Sequence, residues 1–419
     1  MTSNAPAEAF VWVWLPGEME PVVAGRLEAS NQGLQFNYGR SYLERGQAIA
    51  LYDTELPLRA GRLPLKTGLS MPGCLRDASP DAWGRRVIIN RLMGKNGANT
   101  ETALLDELTY LLESGSDRIG ALDFQRSATE YVPRLASQAS LEELLTSAER
   151  VENGTPLSPE LAQAIHHGTS IGGARPKALI NDDARKLIAK FSSSSDVYNV
   201  IKAEYLAMRL AKRVGLSVAP VSLAKAAGKD VLLVERFDRT KTSAGWQRRL
   251  MISALTMLEL DEMMARYASY EDLAEIIRMR FTQPKATLRE LFARLVFNIL
   301  CGNTDDHARN HAAFWDGHQL ELTPAYDICP QSRAGNEAPQ AMLIHRENRF
   351  SRLDVCLGAA AQFQLKETEA RDIIDYQLDV IRSSWQEVCD EAELTTVDRA
   401  MFRGRMFLNP FALEGYTEA

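Results

Sequence analysis

Residues 295–315 contain the side chains best suited to chemistry in this 419-residue chain. Asp305 and Asn310 stand five positions apart in a polar loop, and another carboxylate, Asp327, follows them. An ionised carboxylate can take the proton of an attacking hydroxyl group as a general base. Asn carbonyl and carboxylate oxygens are ligands that Mg²⁺ prefers. These residue types predict phosphoryl transfer to a hydroxyl, with Asp305 as the base and Asn310 and Asp327 as metal ligands.

The spacing of the two loop residues matches the D-x-x-x-x-N pattern of protein-kinase catalytic loops. The pattern alone is common, because Asp often caps helices and Asn often fills turns. The order of elements around it adds weight: an apolar helix ends at Gly302, the polar loop follows, and a hairpin leads to Asp327. We also assign His307 and Arg309, within the loop, to the nucleotide site.

A phosphate-binding half is expected upstream of this loop. The segment GTSIGGARPK (168–177) can present backbone N–H groups to phosphates. Lys190 ends the second strand after it, and Glu204 on the next helix lies 14 residues further on, within reach of an ion pair. The residues assigned to the phosphates are Gly172, Gly173, Ala174, Arg175, Pro176 and Lys177.

Two other kinds of site compete with this interpretation. Residues 168–172 spell G-x-S-x-G, the pattern of serine-hydrolase nucleophiles, which requires a strand before the serine and a helix after it. The predicted order is the reverse, with a helix before Ser170 and a β-like segment after Pro176. His307 and His311 could bind zinc, but no third ligand stands nearby at a typical spacing.

The elements that must position these residues suggest three parts. Residues 1–130 contain short strands, including AIALYD (48–53), and a helix that starts at Ser79-Pro80. Residues 131–240 contain the glycine-containing segment, a hairpin, a long helix and two strands. Residues 241–419 are predominantly helical, with one hairpin turned by Asp316-Gly317. We therefore expect an α+β protein.

Composition narrows the class of protein. Hydrophobic residues make up 45% and charged residues 25%, which is ordinary for a globular chain. A net charge of −7 argues against a dedicated nucleic-acid binder. Five cysteines without a CxxC pair favour reduced, buried thiols. Since the start lacks the basic residues of a secretory signal and no apolar run reaches membrane-spanning length, we expect a cytoplasmic protein with no membrane partner.

Four segments resemble, in order, the HipA-type toxin kinases of bacterial toxin–antitoxin systems. They are SIGGARPKALI (170–180), LLVERFDR (232–239), GNTDDHARN (302–310) and LTPAYDI (322–328). The N-terminal strands with SPDAWGRRVI (79–88) also resemble the first subdomain of that family. The resemblance implies a kinase-like two-lobe fold, with a β-rich N-terminal subdomain and small lobe followed by an all-α C-terminal lobe. It also implies a serine/threonine protein kinase that uses ATP and Mg²⁺.

By position, the resemblance implies further roles. Lys190 would contact ATP, and Ser170 would be an autophosphorylated serine that inactivates the enzyme, with Arg175 as one candidate partner of its phosphate. Arg236 is the other candidate partner. The hinge at the adenine would comprise Glu235, Arg236 and Phe237. The implied partners are a small helix-turn-helix antitoxin of the HipB type, through which alone DNA is contacted, and a protein substrate, either an aminoacyl-tRNA synthetase or another translation factor.

One departure from the family pattern leaves alternatives open. Many members carry a Gln-Glu-Asp stretch after the hinge, whereas residues 248–258 read RRLMISALTML. A small-molecule or lipid kinase on the same scaffold is one alternative. A catalytically silent co-repressor partner of an antitoxin is another, although the intact set of Lys190, Asp305, Asn310 and Asp327 argues against it.

Overall fold

The computed structural model describes residues 6–94, 101–102, 105–134, 139–158, 161–162, 165, 173–182, 184–333 and 335–418. The chain divides into two compact units. The first comprises Met1–Ser195, Ala224–Ile252 and Trp315–His318, and the second Asp196–Leu223, Ser253–Phe314 and Gln319–Ala419. The division at positions 130 and 240 that the sequence suggests stays a prediction.

The first unit opens with a four-stranded sheet of order β3-β2-β1-β4. Its strands are β1 (Glu8–Val13), β2 (Val22–Ser30), β3 (Gly33–Tyr38) and β4 (Leu122–Gln125). Among the described residues, the same unit contains the helices α1 (Arg40–Leu43), α2 (Gly73–Arg76), α3 (Ala82–Met93), α4 (Glu107–Glu113) and α5 (Leu141–Glu152). Helix α3 begins after Asp81, whose Oδ1 accepts a hydrogen bond from the Gly84 N–H at 2.7 Å. This cap lies two residues beyond the predicted start.

The predicted strand at 48–53 is wrong. The Tyr42 hydroxyl donates to the Ile49 carbonyl oxygen at 2.9 Å, and the Leu51 N–H donates to the Tyr38 hydroxyl at 2.8 Å. The Leu56 N–H then closes a tight turn onto the Tyr52 carbonyl at 2.7 Å. Tyrosine hydroxyls therefore satisfy backbone groups for which a strand would need a neighbouring strand.

A second four-stranded sheet, of order β5-β6-β8-β7, follows in the first unit. Its strands are β5 (Lys177–Asn181), β6 (Lys186–Phe191), β7 (Val221–Ala226) and β8 (Lys229–Glu235), and all four were predicted. One face of this sheet packs on α3 and α5 through a core that includes Trp83, Val87, Leu144, Ala189 and Phe191. The hairpin of β9 (Arg239–Thr242) and β10 (Gly245–Arg248), and β11 (Leu250–Ser253), were not predicted.

The second unit is mainly helical, as predicted. Its helices are α6 (Val200–Arg213), α7 (Ala254–Met257), α8 (Tyr270–Arg280), α9 (Pro284–Cys301), α10 (Leu353–Ala359), α11 (Glu367–Glu391), α12 (Thr396–Phe402) and α13 (Pro410–Leu413). Short 3₁₀ helices span Glu262–Tyr267, Ala308–Asn310 and Ala360–Phe363. Strands β12 (Ala312–Trp315) and β13 (Leu320–Leu322) form the predicted hairpin. Within the described ranges, no helix is both long and apolar enough to cross a membrane.

Candidate active site

The loop that carries Asp305 begins where α9 ends. Gly302 terminates this helix with a left-handed φ of +74°, which favours glycine. A Cβ at this position would also lie only 2.6 Å from the Met406 carbonyl oxygen. Both the conformation and the close approach therefore require glycine, and they fix the point at which the chain leaves the helix.

Side chains along the loop alternate between solvent and interior. Asp305 is exposed, whereas its neighbour Asp306 is buried. Partial burial raises the pKa of Asp305, and the carboxylates of Asp327 and Asp306 add to the rise, whereas His307 opposes it. Asp305 therefore lies within electrostatic reach of Asp327, and its pKa is displaced in the direction that suits a general base.

Asp306 is held in the interior by two donors. The Tyr270 hydroxyl donates to its Oδ2, and His311 Nε2 donates to its Oδ1 at 3.0 Å. Burial alone would raise the pKa of Asp306, but His311 and the Tyr270 hydroxyl outweigh burial and hold it below its usual range. We call Tyr270, Asp306 and His311 the loop clamp.

The two proposed metal ligands occupy constrained positions in the second unit. The Asn310 amide nitrogen donates to the Asp305 backbone oxygen at 3.5 Å, which places the carbonyl oxygen of the amide on its other side. Asp327 is half-buried and has a left-handed φ of +59°. Strained backbone in a non-glycine residue is concentrated at functional sites.

Backbone hydrogen bonds fasten the segment around Asp327 to the catalytic loop. The Gln331 N–H donates to the Gly302 carbonyl at 3.0 Å, and the Thr323 N–H donates to the Ala312 carbonyl at 3.0 Å. Arg294 on α9 donates to the Thr323 carbonyl oxygen at 2.9 Å. The structure therefore holds Asp305, Asn310 and Asp327 on one connected frame, and their roles as base and metal ligands stay predictions.

In the first unit, Lys177 and Lys190 lie opposite each other in the register of β5 and β6. Lys177 is only 3% exposed, and its Nζ lies 3.3 Å from Asp81 Oδ2 at the start of α3. Gly173 has a φ of +108°, and a Cβ there would collide with the Lys177 ammonium group. Glycine at 173 therefore allows the backbone to approach this lysine closely.

The other residues assigned to the phosphates and to the lysine–glutamate ion pair differ in what the structure describes. Ser170 and Gly172 lie outside the described residues. Ala174 is exposed and Arg175 half-buried, while Pro176 is buried and its carbonyl accepts a bond from the Phe191 N–H at 3.0 Å. Glu204 is 2% exposed on α6 in the second unit, whereas Lys190 belongs to the first. Their ion pair stays a prediction.

The hinge segment contains a correction. All five N–H donors of Arg236 are used, by Asp117, by the Arg118 carbonyl oxygen and by Asp238. The side chain is fully buried, so it does not support the predicted role of partner for a phosphate on Ser170. The predicted contact of Glu235 and Phe237 with the adenine stays a proposal.

Two loop residues assigned to the nucleotide have other contacts. Arg309 Nε donates to Glu262 at 2.7 Å, and the Arg309 carbonyl accepts a bond from the Tyr326 hydroxyl at 2.7 Å. His307 is half-buried and stands directly before the 3₁₀ turn Ala308–Asn310. The contacts of Arg309 order this part of the loop.

The sequence interpretation missed the loop clamp. Its signal was present, because Asp306 directly follows Asp305 and His311 directly follows Asn310. Tyr270, however, lies 36 positions from Asp306, and no local pattern connects the two residues. Only the fold brings them together.

Comparison with known proteins gives further support for the family that the sequence resembles. Residues 169–385 match the HipA-like C-terminal domain, and residues 13–125 match the HipA N-terminal domain. The Sinorhizobium fredii protein named "Putative kinase Y4mE" is 25% identical over 373 residues, 82% of each chain. The serine/threonine-protein kinase toxin HipA of Shewanella oneidensis is 24% identical over 242 residues, covering 51% of this chain and 54% of that protein.

A solved structure has a similar fold. It is a chain of the Shewanella oneidensis MR-1 toxin–antitoxin complex of HipA, HipB and operator DNA. The similarity has a TM-score of 0.66 at 20% identity and covers 94% of this chain and 93% of that one. This similarity confirms the prediction of an α+β, kinase-like fold.

Proposed function

Because this chain belongs to the HipA family, we propose that it is an ATP- and Mg²⁺-dependent serine/threonine protein kinase that acts as a toxin. The observation that supports the activity most directly is the exposed Asp305, which shares one frame with Asn310 and Asp327. In the proposed reaction a substrate hydroxyl oxygen attacks the γ-phosphorus of ATP. The hydroxyl proton passes to the Asp305 carboxylate, and ADP leaves.

The residues present fit a Mg²⁺ ion. Asn310 and Asp327 would hold it through oxygen atoms, the donors that this ion requires. Burial is the main cause of the raised pKa of Asp305, and the charge of Asp327 adds to it, so a cation on Asp327 would relieve that part of the repulsion. When bound, Mg²⁺ supplies charge that offsets the phosphate oxygens.

The first unit would bind the rest of the nucleotide. Lys190 would contact phosphate oxygens and pair with Glu204, while the backbone of residues 173–176 would cover the phosphates. The adenine would bind to the backbone of residues 235–237, and His307 and Arg309 would lie beside the nucleotide.

We also infer a partner and a substrate class. The solved relative was crystallised with HipB and operator DNA, which supports a HipB-like helix-turn-helix antitoxin for this chain, with DNA contacted through that antitoxin. The proposed substrate is an aminoacyl-tRNA synthetase or another translation factor in the cytoplasm. Ser170 is the proposed self-phosphorylation site, and Arg175 remains the candidate partner of its phosphate.

The activity can be tested with ATP labelled at the γ-phosphate. Purified protein should transfer label to protein hydroxyls in a mixture of translation factors, and Asp305→Asn should abolish the transfer. Parallel reactions with lipids and with small metabolites should stay unlabelled. Label confined to those molecules would overturn the protein-kinase assignment.

A further inference from the structure

The loop clamp buries a carboxylate at a place where burial is costly. Asp306 is 2% exposed, His311 is 3% exposed and Tyr270 is fully buried. A buried carboxylate is tolerated only when it is paired and hydrogen-bonded. Both carboxylate oxygens of Asp306 have a donor, from His311 and from Tyr270. The arrangement is therefore a satisfied buried network that links the loop to α8.

The loop clamp ties together the two ends of a loop segment that contains Asn310 and directly follows Asp305. Asp306 and His311 are joined through their side chains, so they bracket the four residues between them, including Asn310. Within this bracket the Asn310 N–H donates to the His307 carbonyl at 2.8 Å. Asp305 directly precedes the first clamp residue, and Asn310 directly precedes the last. Each proposed functional side chain is thus one peptide bond from a fixed point.

The fixed points rest on ordered backbone. The Tyr270 N–H donates to the Leu343 carbonyl at 2.9 Å, and the His311 carbonyl accepts a bond from the Ala254 N–H at 2.7 Å. Ser269 caps α8, since its hydroxyl oxygen accepts a bond from the Asp272 N–H at 2.9 Å. The clamp therefore holds the loop between two helix N-termini, those of α7 and α8.

We propose that Tyr270, Asp306 and His311 are positioning residues that fix the separation and orientation of Asp305 and Asn310. This role rests on the proposed kinase activity, because it concerns the geometry of the same loop. Asp306 is buried, whereas the preceding residue, Asp305, is exposed to solvent. Loss of the clamp would leave both functional side chains in place in the sequence but free to move by an ångström or more, and a displacement of that size can lower a rate about 10²-fold.

The chain offers a matched control on the same helix. His345 Nδ1 lies 2.8 Å from Glu271 Oε1, one residue beyond Tyr270, and this carboxylate–histidine pair is half-buried. The second carboxylate oxygen of Glu271 accepts a hydrogen bond from the Arg346 N–H at 3.1 Å, outside residues 303–311. His345→Leu removes the same kind of bond as His311→Leu without touching the loop.

The experiment compares His311→Leu, His311→Gln, Tyr270→Phe and His345→Leu. We expect His311→Leu to lower kcat about 10²-fold. His311→Gln should recover most of that loss, since the Gln amide can donate to the same carboxylate. His345→Leu should keep wild-type kcat. Thermal unfolding shows which variants are folded, and Tyr270→Phe, which removes one hydroxyl, replaces His311→Leu if the latter does not fold.

A second measurement separates this inference from the proposed activity. Hydrogen exchange of residues 303–311 should accelerate in His311→Leu and Tyr270→Phe but not in His345→Leu, whether or not the protein transfers phosphate. If the wild-type protein transfers no phosphate but the two variants show these changes in hydrogen exchange, only the kinase proposal is overturned. Wild-type kcat and exchange in His311→Leu, or equal losses in His311→Leu and His311→Gln, would overturn the clamp.

Discussion

Lys177 and Lys190 stand opposite each other on adjacent antiparallel strands, so their side chains share one face of the sheet. The opposite face, which carries Ala178 and Ala189, packs into the core. The two lysines differ in their surroundings, because the Lys177 ammonium is buried against Asp81, whereas Lys190 is half-buried. This difference leads to the first prediction.

Lys190→Ala should weaken ATP binding more than Lys177→Ala. Hydrogen bonds to charged groups contribute about 1.5–3 kcal/mol, so the loss at Lys190 should be about 10–100-fold in Kd. The Lys177 ammonium group already forms an ion pair with Asp81, so removal of this lysine should lower the affinity for ATP less. Calorimetric titration with a non-hydrolysable ATP analogue measures both, with the exposed Lys229→Ala as the control. Equal affinity of wild type and Lys190→Ala would contradict the assignment.

Asp305→Asn should lower the rate of phosphate transfer about 10²–10⁴-fold. It should also leave the fold unchanged or slightly more stable. The native pKa of Asp305 is raised, so its ionised form is disfavoured in the folded state, and its contribution to stability is lost as pH rises through that pKa. Above this pH the Asp305 carboxylate is ionised, so its replacement by a neutral amide removes its repulsion with the carboxylates of Asp306 and Asp327. Transfer rates and urea denaturation at neutral pH test both parts, and a destabilised Asp305→Asn would contradict the second.

Asn310→Ala and Asp327→Ala should raise the Mg²⁺ concentration required for nucleotide binding. Each removes an oxygen ligand from an ion that binds few protein atoms. Asp316→Ala, in the β12–β13 turn, serves as the control. Titrations of ATP at graded Mg²⁺ concentrations give the requirement, and curves that coincide with wild type would exclude the residue concerned as a ligand.

Asp327→Gly should raise the Mg²⁺ concentration required for nucleotide binding as much as Asp327→Ala does, but it should remain more stable. The φ of +59° at this position suits glycine, whereas alanine keeps a Cβ that opposes a left-handed backbone. The expected difference in the free energy of unfolding is about 1 kcal/mol. Chemical denaturation of the two variants measures it. A Gly variant less stable than the Ala variant would show that the backbone is not constrained as described.

Mg-ATP should add one phosphate to the wild-type protein, on Ser170. In the sequence Ser170 stands near the start of the segment proposed to bind phosphates, where an added charge of about −1.5 to −2 would repel ATP. Peptide mass spectrometry locates the phosphate, and Asp305→Asn provides the inactive control. The modified protein should bind ATP more weakly than the unmodified one. A phosphate on another residue, or unchanged ATP affinity, would reject the switch.

The sequence predicted those parts of the fold and site that depend on neighbouring residues. The β5–β6 hairpin and the end of α9 at Gly302 follow from local patterns, and Asp305 and Asn310 from a short spacing. Contacts between distant residues escaped prediction. The 48–53 segment looked like a strand because its pairing with the Tyr38 and Tyr42 hydroxyls could not be read locally.

The same limit applies to charged residues. Strand β9 reads RTKT and β10 reads GWQR, and periodicity did not distinguish these short polar segments from loop. Arg236 looked like a free cation for a phosphate until the fold placed Asp117, from 119 positions upstream, against it. Long-range ionic contacts thus changed the interpretation more than any error in local structure.

The Arg236 network also bears on how this protein could have been assembled during evolution. Three of the five Arg236 donors reach the 117–118 segment, inside the HipA N-terminal match, whereas Arg236 itself belongs to the HipA-like C-terminal match. A recombination event that brought in an N-terminal portion without an acid at position 117 would remove one of the two carboxylates that pair with the buried Arg236 guanidinium, at a cost of about 1–3 kcal/mol. A chimaera between relatives should therefore be more stable when the parent of its N-terminal portion supplies an acid at position 117.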